Sequence, residues 1–193
     1  MWVLFGYSLS FAPSGNAFIG DFRWLGLEGV SLTEGYTDDA SIPNMVFSAF
    51  QMMFAVITPA LITGAVAGRM KFKSIFVFTI FWSLIVYYPL AHMVWGQGGL
   101  LGADGIGALD FAGGDVVHIS SGVSALVLCI LLGKRHDYEH SIYRIHNIPT
   151  VVLGASLLMF GWFGFNAGSA LAADGLAAHA FMTTGVSAAA AML

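Results

Sequence analysis

A histidine inside an apolar run is the first residue of this sequence able to do chemistry. His118 is flanked by Val116, Val117 and Ile119 and followed by a stretch rich in Leu, Val and Ala. An imidazole there can donate, accept and relay protons, and an ionisable side chain within an apolar span is a functional candidate by default. Asp110 precedes it, and Trp95 closes an earlier apolar run. Phe50 and Phe54 are four apart, and Trp162, Phe165 and Ser169 are three and four apart, so each set shares one face of a helix. Aromatic faces attract a small cation by ~0.5–2 kcal/mol each. A hydroxyl such as Ser169 can accept a hydrogen bond from it, and a carboxylate adds favourable potential. A bare cation in hydrocarbon costs ~2.5 kcal/mol or much more. The set therefore suits a cation that sheds a proton at a trap and crosses a dry passage as a neutral molecule. Phe54 and Phe165 could meet as a gate beneath that trap.

Each residue also has a structural alternative. Trp95 fits an interfacial belt, and the phenylalanines fit helix packing or lipid contact. Ser169 can bond back to a carbonyl of its own helix. Asp110 can cap the helix that follows it while also tuning a site, and His118 can be a satisfied packing residue. His136 and His140 have a metal-like i, i+4 spacing in a basic loop, but no further convincing ligand accompanies them.

The elements that must position these side chains follow from composition. Of 193 residues, 58% are hydrophobic and 9% charged, too little charge to keep a soluble surface of this size in water. The mildly acidic balance gives no footprint for nucleic acid. The lone Cys129 has no mate for an intrachain disulfide. Membrane-spanning helices need ~20 apolar residues, and four runs qualify: 45–68, 75–95, 116–133 and 148–171. Apolar fragments at both ends read as partial helices, and the chain as an interior slice of a longer protein. Without sustained two-residue alternation, strands are excluded, leaving an all-α polytopic bundle. Pro59 and Pro89 lie inside spans, where kinks are expected. Gly64/Gly68 and Gly164/Gly168 suggest close helix packing. Arg69, Lys71 and Lys73 occupy one connection, and Lys134, Arg135 and Arg144 another on the same side. That side is assigned to the cytoplasm by its positive charge. Trp95, Asp110 and Ser169 then fall near the external mouth, with His118 ~12 Å below Asp110 if the intervening segment is helical. No phosphate loop, nucleophile elbow or paired catalytic carboxylates are present, so an enzyme is not expected.

The stretches Asp110-Phe-Ala-Gly-Gly-Asp-Val-Val-His118, Ala91-His-Met-Val-Trp95-Gly and Gly161-Trp-Phe-Gly-Phe-Asn-Ala-Gly-Ser169 resemble signatures of the ammonium transporter group (Amt/Mep/Rh), its bacterial and archaeal Amt branch in particular. The resemblance runs from the end of that family's second helix to the start of its seventh, making residues 1–193 a partial transporter domain. It implies an eleven-helix inverted-repeat protomer in a homotrimer, each protomer with its own pore, in the cell (inner or plasma) membrane. By the same resemblance, Phe54, Trp95 and Ser169 match an external ammonium-recruitment site that Asp110 supports. Phe54 and Phe165 match a stacked gate with Phe50 one turn above. His118 matches the first of two pore histidines and Trp162 a pore-lining tryptophan. Asp115 stands where the family pattern has a neutral residue. The resemblance implies no cofactor, and a cytoplasmic regulatory protein as a possible partner. The alternative from another class is an ammonium receptor of the same fold feeding a cytoplasmic signalling domain.

Overall fold

The computed structural model describes residues 1–13, 16–103, 105–135, 137–139 and 146–193; His136, His140 and Arg144 lie outside them. Helix α1 (Trp2–Phe11) is short, and four longer apolar helices follow: α2 (Asn44–Val66), α3 (Phe72–Trp95), α4 (Gly114–Leu132) and α5 (Ile148–Ala170). A last helix, α6 (Gly175–Ala191), completes the chain. The observed ends fall within three residues of the four sequence-derived spans. Successive crossings put the Trp95, Asp110 and Ser169 segments at one end and the Arg69 and Lys134 segments at the other.

Local chemistry explains where these helices start and bend. Pro89 has no N–H to bond the carbonyl one turn back. The chain answers with a wide turn over Ser83–Tyr87, where the Tyr88 N–H reaches the Ser83 carbonyl. Pro59 is carried inside α2 without ending it. Helix α5 opens with Pro in its first turn under an Asn147 cap that accepts from Thr150 N–H, and Asp174 caps α6 in the same way through Ala177 N–H.

The core lies among α1, α2, α3 and α4, where Tyr7, Phe11, Phe54, Tyr87 and Val117 are nearly or fully inaccessible. His92 is also fully buried, with one ring nitrogen 3.1 Å from the Ser10 carbonyl and the other 2.8 Å from that of Asn16. It pins α3 to the end of α1 and the loop beyond, which is a packing role. At the basic end Arg69 donates to the Gly133 carbonyl at 2.8 Å and meets the Cys129 sulfur at 3.1 Å, tying the end of α2 to the end of α4. Helix α5 contributes no buried residue and packs chiefly on α6. The glycine spacings do not act as expected: Gly64 and Gly164 face open space, whereas a Cβ on Gly168 would come within 3.1 Å of the Phe50 ring. Of these four glycines, only Gly168 is needed for close approach.

Candidate functional site

The site is assembled where α2, α3, α4 and α5 converge. Phe50 and Phe54 project from one face of α2, their ring centroids 4.9 Å apart. The Phe54 ring is edge-on to Trp95 at 5.6 Å and 4.4 Å from Phe165 of α5. Four rings from three helices thus form one continuous contact, and Phe54 at its centre is 2% exposed. The structure brings together the pairs whose alternative was unrelated packing.

Trp95 is held by its polar edge: indole Nε1 donates to the Asp110 carbonyl at 2.9 Å. The Asp110 carboxylate is fully engaged. Oδ1 accepts from the Gly113 and Gly114 N–H groups, the latter at 2.8 Å, and Oδ2 from Asp115 at 2.8 Å and Val116 at 3.0 Å. These are the orphan donors at the start of α4, where a negative charge is favoured. Asp110 is therefore a positioning residue. Its side chain builds the first turn of α4, and its backbone orients Trp95. The turn needs Gly113, whose φ of +101° favours glycine. Asp115 falls in the same first turn, where its own charge suits the helix end.

Helix α4 begins wide. The N–H groups of Val117 and His118 both reach the Gly113 carbonyl at 3.0 Å, and the Ser120 and Ser121 hydroxyls donate to the Val116 and Val117 carbonyls. Because 110–113 is a capping turn and not helix, His118 lies one turn into α4, ~6 Å along the axis from Gly114, and the condition of an unbroken helix from Asp110 is not met. Its ring lies parallel to Trp162, 5.8 Å away at 10°, and 6.1 Å from Phe165. The imidazole thus meets Phe165, which in turn meets Phe54 and through it Trp95.

Above the rings is a cavity of about 320 Å³, lined by Tyr36, Gln51, Phe54, Trp95, Phe111 and Ser169 among others. Ser169 does bond back to its own helix, donating to the Phe165 carbonyl at 2.8 Å. That bond fixes the hydroxyl proton and leaves the oxygen lone pairs available as acceptors, so the backbone and site readings of Ser169 hold together. Tyr36 donates to the Phe11 carbonyl at 3.1 Å and accepts from Gln97 N–H. Burial pushes its phenol up to about 12 against the lowering bond from Gln97, so it stays neutral. Larger clefts exist, but the one of about 550 Å³ between α5 and α6 contains no ionisable group. The smaller vestibule is where rings and acceptors converge. Sequence reading missed Gln51, Tyr36 and Phe111. Of these only Gln51 carried a signal, a carboxamide three residues from Phe54 on an apolar face. Among the described residues no cluster of three metal-ligating side chains exists.

Comparison with known proteins follows the same lines. Residues 1–193 match the family model described as Ammonium Transporter Family. An ammonium transporter of Bacillus subtilis is 54% identical over 190 residues, covering 98% of this chain and 45% of the relative. The ammonium transporter Amt1 of Archaeoglobus fulgidus is 44% identical over 98% of this chain and 45% of its own length. The crystal structure of Saccharomyces cerevisiae Mep2 superposes with a TM-score of 0.77 at 40% identity, over 89% of this chain and 38% of that one. The chain thus spans a little under half the length of these curated relatives. Apolar helices of spanning length and the match along every residue make it part of a multi-pass membrane protein, and it belongs to the ammonium transporter family.

Proposed function

We propose that the whole protein passes ammonium nitrogen across the cell membrane, with the basic end of the bundle in the cytoplasm. An ammonium ion is recruited in the vestibule by the faces of Phe54 and Trp95 and the free lone pairs of Ser169. Asp110 supports that site by holding Trp95 in place and supplying negative potential. The ion loses its proton there to vestibule water. Neutral ammonia passes the Phe54–Phe165 gate, with Phe50 above it, into a passage lined by His118 and Trp162, while the proton crosses separately by relay through the His118 imidazole, so that net charge moves with each nitrogen. The observation that carries this reading is the order of groups: Trp95, Phe54, Phe165 and His118 are in consecutive contact. A cation site thus opens onto a closed hydrophobic gate with an imidazole beyond it. The residues missing relative to the family would supply the rest of the pore wall and the second histidine, in a homotrimer open to a cytoplasmic regulator. The relatives are named as transporters, which favours transport over sensing.

The test is ammonium-evoked current in liposomes holding the full-length protein. His118→Ala should abolish the current while leaving the protein folded. A wild-type current in that variant would overturn the imidazole's role.

A further inference from the structure

Residues 44, 51 and 58 recur at seven-residue spacing on the inner face of α2, and all three are polar. Asn44 accepts from the Tyr7 hydroxyl, and Thr58 donates to the Phe54 carbonyl at 2.6 Å. Gln51 is different: it is 6% exposed, and its buried side-chain oxygen has no hydrogen-bond partner. A buried acceptor left unpaired costs about 1–3 kcal/mol, so it calls for an explanation, and a bound water or ion is one. The residue lines the vestibule, where a turn of its terminal carboxamide would present that oxygen to an occupant.

Beside Ser169, the vestibule offers a cation few free side-chain acceptors. An ammonium ion has N–H donors in a tetrahedral array. The aromatic rings offer only their faces, and Ser169 offers one oxygen. The Asp110 carboxylate is occupied by four backbone N–H groups. We infer that Gln51 is a direct ligand of the recruited cation, its carboxamide oxygen accepting an N–H bond beside Ser169 and setting the affinity of the vestibule. This rests on the proposed transport reading and adds a residue to it. A neutral oxygen suits the step that follows. It strengthens binding of the protonated form without the fixed charge that would hold the ion back from losing its proton.

The experiment is concentration dependence of ammonium current in liposomes with full-length protein, comparing wild type, Gln51→Leu and Gln51→Glu. Leucine keeps the bulk and removes the acceptor. Its KM should rise about ten-fold, which corresponds to about 1.4 kcal/mol, with maximal current within two-fold of wild type. Gln51→Glu keeps size and adds charge, so its KM should fall and its maximal current drop as the ion is retained. A folded Gln51→Leu variant with wild-type KM would overturn the assignment while the transport reading stands. If the leucine variant does not fold, an unchanged or raised KM in Gln51→Glu overturns it instead. A wild-type protein with no saturable current would remove both readings together.

Discussion

The substitution with the sharpest expected outcome is Asp110→Asn. In the native turn two carboxylate oxygens receive four backbone N–H bonds, two at each oxygen. Asparagine can accept at one oxygen only, and its NH₂ would point at two donors that have no other acceptor. Each orphaned N–H costs about 1–3 kcal/mol, and loss of the charge at the α4 start about 0.3–1 kcal/mol more. The sum is a destabilisation of about 2–7 kcal/mol, large for one atom exchange. The damage should centre on Gly113–Val116, and with it on the carbonyl that holds Trp95 and the wide turn that carries His118. The full-length variant should melt several degrees below wild type in detergent, and its ammonium current should be lost. Near-wild-type melting with the current abolished would refute the scaffold argument, because the carboxylate would then act through its charge alone. Wild-type behaviour in both assays would remove Asp110 from the site altogether.

Other outcomes follow from the same geometry. Trp95→Leu removes one aromatic face and the anchor to Asp110, so the KM for ammonium current should rise about 2- to 30-fold, matching about 0.5–2 kcal/mol; an unchanged KM would return Trp95 to belt duty. Phe165→Ala opens the closest ring contact and should admit water and weaken discrimination against potassium, measured as the ratio of ammonium to potassium current. Gly168→Ala should force Phe50 to shift, since the new Cβ would stand 3.1 Å from its ring, and should lower current more than stability. Tyr36 links stability to alkaline pH. Its pKa is raised from 10 to about 12 in the folded protein, so the folded form holds a proton that the unfolded form has lost between those values. Stability is then fully present below pH 10 and declines up to about pH 12. Thermal melting of wild type and Tyr36→Phe from pH 9 to 11.5 should show a steeper fall in the wild type.

Much of the bundle was legible because apolar runs of spanning length leave a chain few choices. Helix ends were within reach for similar reasons, since Asn147-Ile-Pro and Asp174-Gly are strong start signals. Ring partners were less so. Spacing puts Phe54 and Phe165 on faces but says nothing about whether two helices turn those faces together, and only tertiary packing brings them to 4.4 Å. The depth of His118 was not legible because its condition, an unbroken helix from Asp110, fails at the turn that the carboxylate caps. The glycine pairs were a weak guide because small-residue spacing is common in glycine-rich spans, and of the four only Gly168 is tightly crowded. Gln51 escaped notice because its significance lies in a bond it does not make.

Helix α5 has no fully buried residue and is lightly attached to the first four helices: one face packs on α6, and aromatic contacts around Phe165 do much of the joining to the rest. The gate is therefore also a weld. A molecule that separates Phe54 from Phe165 must either turn one ring about its own bonds, which moves a few atoms, or swing a rod of 23 residues, which takes microseconds to milliseconds. Turnover faster than helix motion would mean that the rod stays put and the ring acts as a turnstile. Slow turnover would make whatever braces the bare side of α5 the true governor of flux.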